Sequence, residues 1–258
     1  MRLLLSAVVL VAIEGVALAD VDVAPPTPAN KVTAEERPFL YLSDPSTPSA
    51  GVFTAGYGFG LGSGVPADRP LPAKVGAAGA SHTVSLGYGV TSRFAPFGIV
   101  TADKDGGATG VFGARFQVTD PGSPFRFTVS GAGFREGRGG ALGVWLRGAA
   151  SYDVGAFRVA GNAHAEKVFA SARDSIDVLA MVGASYRLGS TFRLGVEYVG
   201  QDLEDFIEKE EAEGGARHFV GPTAALDLGH AQLTAGPAFG LNEKSPRLLG
   251  RVAVLVSF

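Results

Sequence analysis

Apolar and polar residues alternate with a period of two through most of this chain, from Gly51 to Phe258. This period places alternate side chains on opposite faces of an extended strand. The pattern predicts twelve strands. Pro96, Pro222 and Pro237 fall inside predicted strands and require bulges there, and an irregular third strand would leave ten strands instead. The predicted strands are Val52–Leu61, Ser81–Val90, Arg93–Ala102, Thr109–Thr119, Phe125–Phe134, Ala141–Val154, Ala156–Val168, Ile176–Leu188, Thr191–Gln201, Arg217–Leu228, Ala231–Leu241 and Arg247–Phe258.

The composition indicates a membrane protein whose spanning segments are strands. Hydrophobic residues make up 46% of the chain and the mean hydropathy is +0.22, yet no window approaches 18 unbroken apolar residues. Lipid offers no hydrogen bonds to backbone groups, so spanning strands must pair in a closed barrel. The less apolar face is largely Gly, Ala, Ser and Thr, which suits an interior better than the charged surface of a soluble β protein. The predicted fold class is all-β, a transmembrane antiparallel up-and-down β-barrel.

The connections between the predicted strands alternate between short and longer ones. The short ones lie at residues 91–92, 120–124, 155, 189–190 and 229–230. Barrels of the outer membrane have short periplasmic turns and longer extracellular loops, so both ends of the barrel domain are predicted to be periplasmic. Eight aromatic residues are predicted to point outward near that end and form an interfacial girdle. They are Tyr88, Phe116, Phe125, Tyr152, Phe157, Tyr186, Phe192 and Phe258.

The last predicted strand carries a second, more specific pattern. One of its faces is apolar and the sequence finishes on an aromatic residue; this face consists of Leu248, Gly250, Val252, Val254, Val256 and Phe258. The strand resembles the closing strand of bacterial outer-membrane β-barrel proteins, whose terminal Phe and alternate apolar residues are read by the assembly machinery. The resemblance implies a bacterial outer-membrane location. It also implies three partners: membrane lipid, lipopolysaccharide, and the barrel-assembly machinery acting through the strand of Phe258.

The region before the barrel divides into two segments. Residues 1–19 read as a secretory signal peptide, with the apolar run Leu3–Ala12 and cleavage after Ala19. Residues 20–49 contain six prolines and no strand-length alternation, so they are predicted to be a Pro-rich periplasmic segment. This segment is interpreted as a tether, with a plug folded into the barrel as the alternative. Residues 50–258 form the predicted barrel domain. The chain has no Cys, which excludes disulfides and a lipid-acceptor cysteine.

Charged residues are sparse on the face predicted to line the interior. Opposite charges across a narrow pore would create a transverse field that filters solutes, or would cross-link and close the interior. The strand number does not decide between these, since about eight strands are filled by side chains and 16 to 18 leave an aqueous channel. The predicted pore-lining residues are Arg126, Arg158, His164, Glu166, Asp177, Arg187, Arg193, Glu197 and Arg251.

Three of these residues form a weak candidate cation site on one hairpin. Glu166 is predicted to lie opposite Asp177, with His164 one inward step below. Two carboxylates and an imidazole are groups that bind divalent cations. The alternative is a polar network balanced by inward arginines such as Arg158 and Arg187.

Motifs for enzymatic chemistry are absent from the sequence. No G-x-S-x-G, H-E-x-x-H, P-loop or G-x-G-x-x-G match occurs, so we predict no catalytic residue and no cofactor. A net charge of −3 without a basic cluster excludes nucleic acid as a partner. The acidic stretch 202–215 is predicted to be a solvated loop, with a cation-bridged contact to lipopolysaccharide as the alternative.

The predicted function is a narrow channel for small solutes or ions. A closed barrel with a structural or surface-interaction role is the main alternative. An outer-membrane hydrolase is a third possibility, in which His164 would act as a base, although no motif positions a serine nucleophile.

Overall fold

A computed structural model describes residues 39–63, 79–103, 107–137, 139–170, 176–203 and 216–258. Twelve strands lie in these ranges, so the twelve-stranded prediction is confirmed over the ten-stranded one. They are β1 (Phe53–Ser63), β2 (Gly79–Tyr88), β3 (Phe94–Asp103), β4 (Ala108–Gln117), β5 (Phe125–Arg135), β6 (Leu142–Val154), β7 (Phe157–Val168), β8 (Asp177–Leu188), β9 (Phe192–Gln201), β10 (Arg217–Asp227), β11 (Ala231–Gly240) and β12 (Leu248–Ser257).

The strands form one closed antiparallel barrel. Each strand pairs with its neighbours in sequence, and β1 pairs with β12 from Thr54↔Ser257 to Ser63↔Leu248. The connectivity is therefore up-and-down, as the sequence predicts. Among the described residues, no helix has the length and apolar character needed to cross a membrane.

Burial follows the predicted alternation closely. On β7, Arg158 is buried and its neighbour Val159 is exposed, because one side chain points into the barrel and the next points outward. The phase of β3, which was ambiguous in the sequence, is set by Phe97, which points inward and stacks on Trp145 with ring centroids 5.7 Å apart.

The three prolines are accommodated without inserted residues. Pro222 lies opposite Pro237, and the β10–β11 ladder has the same register on both sides of this point, so the predicted bulge does not occur. Because both prolines lack an N–H, backbone pairing between β10 and β11 is interrupted at this position and resumes beyond it. Pro96 lies one residue beyond the last β2–β3 pair, Gly87↔Phe97, so it breaks no pair of that ladder.

The tight turns lie at one end of the barrel, as predicted. Gly155, Gly189 and Gly229 sit in these turns with φ of 57°, 70° and 87°, a backbone conformation that strongly favours glycine. The predicted aromatic girdle lies at the same end: Phe125 pairs with Tyr152, and the other predicted aromatics also occupy outward positions.

The interior differs from the purely polar lining that the alternation predicts. Large apolar side chains also point inward and form two clusters. One cluster contains Phe97, Val111, Phe134, Trp145 and Val168. The other joins Phe39 and Leu42 to inward residues that include Leu179, Val199, Phe219 and Leu249. These side chains fill much of the barrel and leave a restricted space.

Candidate functional site

Residues 39–49, hereafter the luminal segment, lie inside the barrel. Phe39 and Leu42 are 4% and 3% exposed, and both pack on inward side chains of the wall. The segment is not a strand and has no ladder partner in the wall. The tether interpretation is therefore wrong for residues 39–49, because the wall offers apolar and polar partners that a tether in water would lack. Residues 20–38 and the predicted signal peptide, residues 1–19, lie outside the described residues.

Glu197 on β9 is the main polar contact of the luminal segment. Its carboxylate accepts hydrogen bonds from three consecutive backbone N–H groups, those of Leu40, Tyr41 and Leu42, at 2.9, 3.1 and 3.2 Å. Arg251 on β12 donates from Nη1 to the Leu40 carbonyl at 2.8 Å. The wall therefore supplies the partners that an extended chain would otherwise obtain from a neighbouring strand.

Asn162 on β7 holds the next residue through both of its amide atoms. Its Oδ1 accepts from the Ser43 N–H at 2.6 Å, and its Nδ2 donates to the Ser43 carbonyl at 3.0 Å. Arg147 on β6 donates from Nη1 to the Ser43 Oγ at 2.6 Å. Ser43 is therefore fixed at its N–H, carbonyl and hydroxyl.

A buried ion pair joins Asp44 of the luminal segment to Arg158 of β7. Nη1 of Arg158 lies 2.9 Å from Oδ2 of Asp44, and the two side chains are 2% and 1% exposed. The same guanidinium also binds Asp153 on β6, from Nε at 2.6 Å and from Nη2 at 2.9 Å. Arg126 on β5 contacts Asp153 as well. Two of the predicted pore-lining arginines thus belong to one charged network.

Nearer the tight turns, the luminal segment is held by β4 and β5. Arg115 donates to the Ser46 carbonyl at 2.9 Å, and Gln117 accepts from the Thr47 N–H at 3.2 Å. Thr128 donates to the Pro45 carbonyl.

The residues of the candidate cation site are adjacent but form no metal site. The register pairs Glu166 with Asp177, as the hairpin predicts, and His164 Nε2 lies 3.0 Å from Glu166 Oε2. Nδ1 of His164 is buried without a hydrogen-bond partner, and its ring lies 5.1 Å from that of Trp145. In the described part of the chain, no three His, Cys, Asp or Glu residues are arranged to hold a metal ion. The arrangement is a buried polar network.

The remaining predicted pore-lining residues lie at the short-turn end. Arg193 is buried and donates to the Ser185 Oγ at 3.1 Å. Arg187 pairs with Arg193 in the β8–β9 register but is exposed, so it lies outside the closed part of the interior.

Sequence reasoning missed four charged residues of this site: Asp44, Arg115, Arg147 and Asp153. The two arginines and Asp153 occupy inward positions of predicted strands, so the alternation itself could have identified them. No comparable signal exists for Asp44, because the luminal segment has no period.

A cavity of about 280 Å³ remains beside the luminal segment. It runs along the inward faces of β1, β2, β3 and β12, where most side chains are small. Its basic side chains include Arg115, Arg147 and Arg251, and the carboxylate found among its described lining residues, that of Asp44, is paired with Arg158. Further lining residues are Gly56, Gly58, Gly60, Ser81, Thr83, Ser85, Thr101, Gln232, Thr234 and Ala253.

Comparison of the sequence with protein-family profiles and with curated proteins gives no match. Solved structures do match the fold. A KdgM porin aligns with a TM-score of 0.56 at 10% identity, over 80% of this chain and 99% of the porin. A KdgM porin in complex with disordered oligogalacturonate gives 0.57 at 8% identity, with the same two coverages. A NanC porin gives 0.51 at 8% identity, over 80% of this chain and 98% of the porin. The chain therefore has the fold of an outer-membrane β-barrel protein and resembles the KdgM and NanC porins in architecture.

Proposed function

We propose that this protein is a narrow outer-membrane channel for small solutes or ions. The observation that carries the proposal is the cavity beside the luminal segment. Its lining combines Gly, Ser and Thr residues, most of them on β1 and β2, with Arg115 of β4, Arg147 of β6 and Arg251 of β12. Small side chains leave room for hydrated solutes, and charged side chains in a constriction select among them. The architectural resemblance to small porins supports a channel but does not identify the solute.

The charges around the cavity favour anions. Among the described lining residues, Arg115, Arg147 and Arg251 are basic, and the carboxylate of Asp44 is paired with Arg158. Glu197 offsets part of the charge of Arg251. A fixed excess of positive charge in a low-dielectric constriction concentrates anions and repels cations. We expect the reversal potential in a salt gradient to show anion selectivity.

The test is single-channel conductance of the refolded chain, from Asp20 to Phe258, in a planar bilayer. Ala253 lines the cavity and Val252, its neighbour, points outward at 44% exposure. Ala253→Trp should reduce the conductance at least about fivefold by filling the constriction, while Val252→Trp, the matched control, should leave it unchanged. Equal conductance in the two variants would contradict a solute path along this cavity. Gly183→Trp is a less suitable blocker, because a side chain there meets Phe39.

One observation favours the second candidate, a closed barrel with a structural or surface-interaction role. The luminal segment and the two apolar clusters occupy much of the interior. A correctly folded barrel that carries no current at any voltage would support this function.

The hydrolase alternative gains no support from the geometry of His164. Its Nε2 contacts Glu166, and its Nδ1 has no hydrogen-bond partner in the described residues, so no serine hydroxyl is placed for activation there.

Location and assembly complete the proposal. The outward faces of the strands are apolar and suit lipid, and Phe258 is 71% exposed beside Phe53, with ring centroids 6.3 Å apart. We expect the chain to be exported by residues 1–19, to be cleaved after Ala19, and to be inserted through its last strand. Mass spectrometry of the protein from outer-membrane fractions should give an N-terminus at Asp20, and a Phe258→Ser variant should accumulate outside that fraction.

A further inference from the structure

The luminal segment is attached to the barrel by side chains of the wall and not by a strand ladder. Most polar partners of its backbone are wall side chains, including those of Glu197, Asn162, Arg115 and Arg251. The barrel is closed independently by the β1–β12 ladder. The segment can therefore leave the interior without breaking any backbone pair of the barrel.

The ion pair to Arg158 is compatible with reversible docking. Removing two charges from water opposes their attraction, so a buried ion pair contributes little net stability. When Asp44 leaves, it regains water, and Arg158 keeps both of its hydrogen bonds to Asp153. Neither charge is then left buried without a partner, which is the costly outcome.

A recess in the wall fits the other end of the segment. A Cβ at Gly183 would lie 2.6 Å from Cε1 of Phe39, so the docked ring occupies space that only glycine leaves open. Tyr41 lies next to it, with the guanidinium of Arg251 5.6 Å from its ring centroid.

The connection to β1 supplies a pivot. Gly51 is exposed and has a φ of 81°, and its N–H donates to the Gly89 carbonyl at 2.7 Å. The Val52 N–H donates to the Ser49 carbonyl at 3.0 Å. These bonds fix the base of the luminal segment at the short-turn end, which is predicted to be periplasmic.

From these contacts we propose that residues 39–49 form a gate, which restricts the barrel when docked and opens it by withdrawing toward the periplasm about Gly51. The proposal rests on the channel function proposed above. The docked state leaves the cavity of about 280 Å³, and the open state adds the volume that the segment vacates. Two conductance levels follow, a small one and a large one.

A reversible covalent lock tests the gate in the full chain. The native sequence has no Cys, and the Asn162 side chain bonds the backbone N–H and carbonyl of Ser43, so Ser43→Cys with Asn162→Cys introduces one pair of thiols on residues in contact. Oxidation should abolish the large conductance level and lower the mean current at least about fivefold, and reduction should restore it in the same preparation. The single variants Ser43→Cys and Asn162→Cys should not respond to oxidant.

The outcomes separate the two proposals. Equal current in the oxidised and reduced double variant would overturn the gate and leave the channel standing. The channel proposal itself would be overturned if the native protein, Gly183→Ala and the double variant in both redox states all carried no current.

Gly183→Ala provides a second measurement that leaves the bonding groups of the wall intact. The added methyl group displaces the Phe39 ring, so the large conductance level should be occupied at least about fivefold longer than in the native protein. Gly148→Ala is the matched control, because its Cβ points outward and meets only Phe127, at an ordinary distance of 3.7 Å. Equal occupancy in the two variants would contradict the gate.

The direction of movement gives a signed prediction. Asp44 is the single charged residue among residues 39–49, so withdrawal carries one negative charge toward the periplasm. A positive potential on the periplasmic side should raise the open fraction and the opposite potential should lower it. Asp44→Asn should remove this asymmetry, and an unchanged asymmetry would contradict withdrawal in this direction.

Discussion

Two parts of the barrel wall have the same strand geometry but different interior surfaces. The neutral wall, formed by the described inward side chains of β1, β2 and β3, carries no charge and borders the cavity. The charged wall, formed by those of β4 to β9, contributes seven of the side chains that hold residues 39–49: Arg115, Gln117, Thr128, Arg147, Arg158, Asn162 and Glu197. The difference shows that one part of the wall binds the luminal segment while another part leaves the cavity beside it open.

The largest expected effect comes from the charged wall. Arg158→Ala leaves Asp44 buried without its cation and removes a partner of Asp153. Breaking a buried pair from one side costs about 3–5 kcal/mol, although release of the segment into water can reduce this loss. Urea unfolding of the refolded barrel should show the decrease, whereas the exposed Arg187→Ala should change stability by less than about 1 kcal/mol. Similar losses of stability in both variants would show that the buried charged network contributes no more than an exposed arginine does.

Glu197→Ala should weaken docking more than it weakens the barrel. It removes the acceptor of three backbone N–H groups, each of which must then find water. If the docked state is destabilised by about 1–3 kcal/mol, a maleimide should label a cysteine placed at Ser43 about 5- to 150-fold faster. Thr83→Ala on the neutral wall, made in the same Ser43→Cys background, should leave the rate unchanged. Equal acceleration by both substitutions would show that the two walls do not differ in holding the segment.

A charge introduced on the neutral wall should change the ion selectivity of the proposed channel. Thr83→Glu places a carboxylate beside the cavity, on the part of the wall that Arg251 also reaches, and should lower the anion-to-cation permeability ratio at least about twofold. Thr83→Val keeps the size without the charge and should leave the reversal potential unchanged. A ratio insensitive to Thr83→Glu would place the solute path elsewhere.

The smallest effect concerns the ionisation of Tyr41. Burial raises the pKa of Tyr41 from 10.0 to about 12, since the docked position disfavours the phenolate. A pKa raised in the docked state contributes stability that is complete below about pH 10 and is lost as the pH rises toward 12. Between these pH values, a maleimide should therefore label Ser43→Cys faster than ionisation of the thiol alone explains. The same measurement in a Tyr41→Phe background should show only the acceleration due to the thiol. If Tyr41→Phe showed the same additional acceleration, the pH dependence would come from a group other than Tyr41.

The barrel was predictable because a period of two is imposed wherever one strand face meets lipid and the other does not. Phe258, Tyr152 and Val159 all occupy the outward positions that this rule gives them. The phase of β3 was harder to assign, since Phe97 and Ile99 place apolar side chains on the inward face, where the alternation loses contrast.

The site was only partly predictable. Arg158 and Glu197 were identified as inward charges, but their partners lie in a segment without periodicity. Phe39, Leu40 and Leu42 belong to the only apolar stretch of residues 20–49, and its sequence was too short a signal to distinguish a plug from a tether. The decisive contacts depend on three-dimensional positions of the wall that local patterns do not encode.

The contact between Leu40 and Glu197 joins residues 157 positions apart, which has a consequence for the order of folding. The carboxylate that receives the segment does not occupy its place until β9 has paired with β8 and β10. Contacts of such high sequence separation form slowly, because a long intervening chain must be ordered first. The luminal segment precedes every strand in the sequence, yet its contact between Leu40 and Glu197 therefore forms only after β9 has been placed among its neighbours.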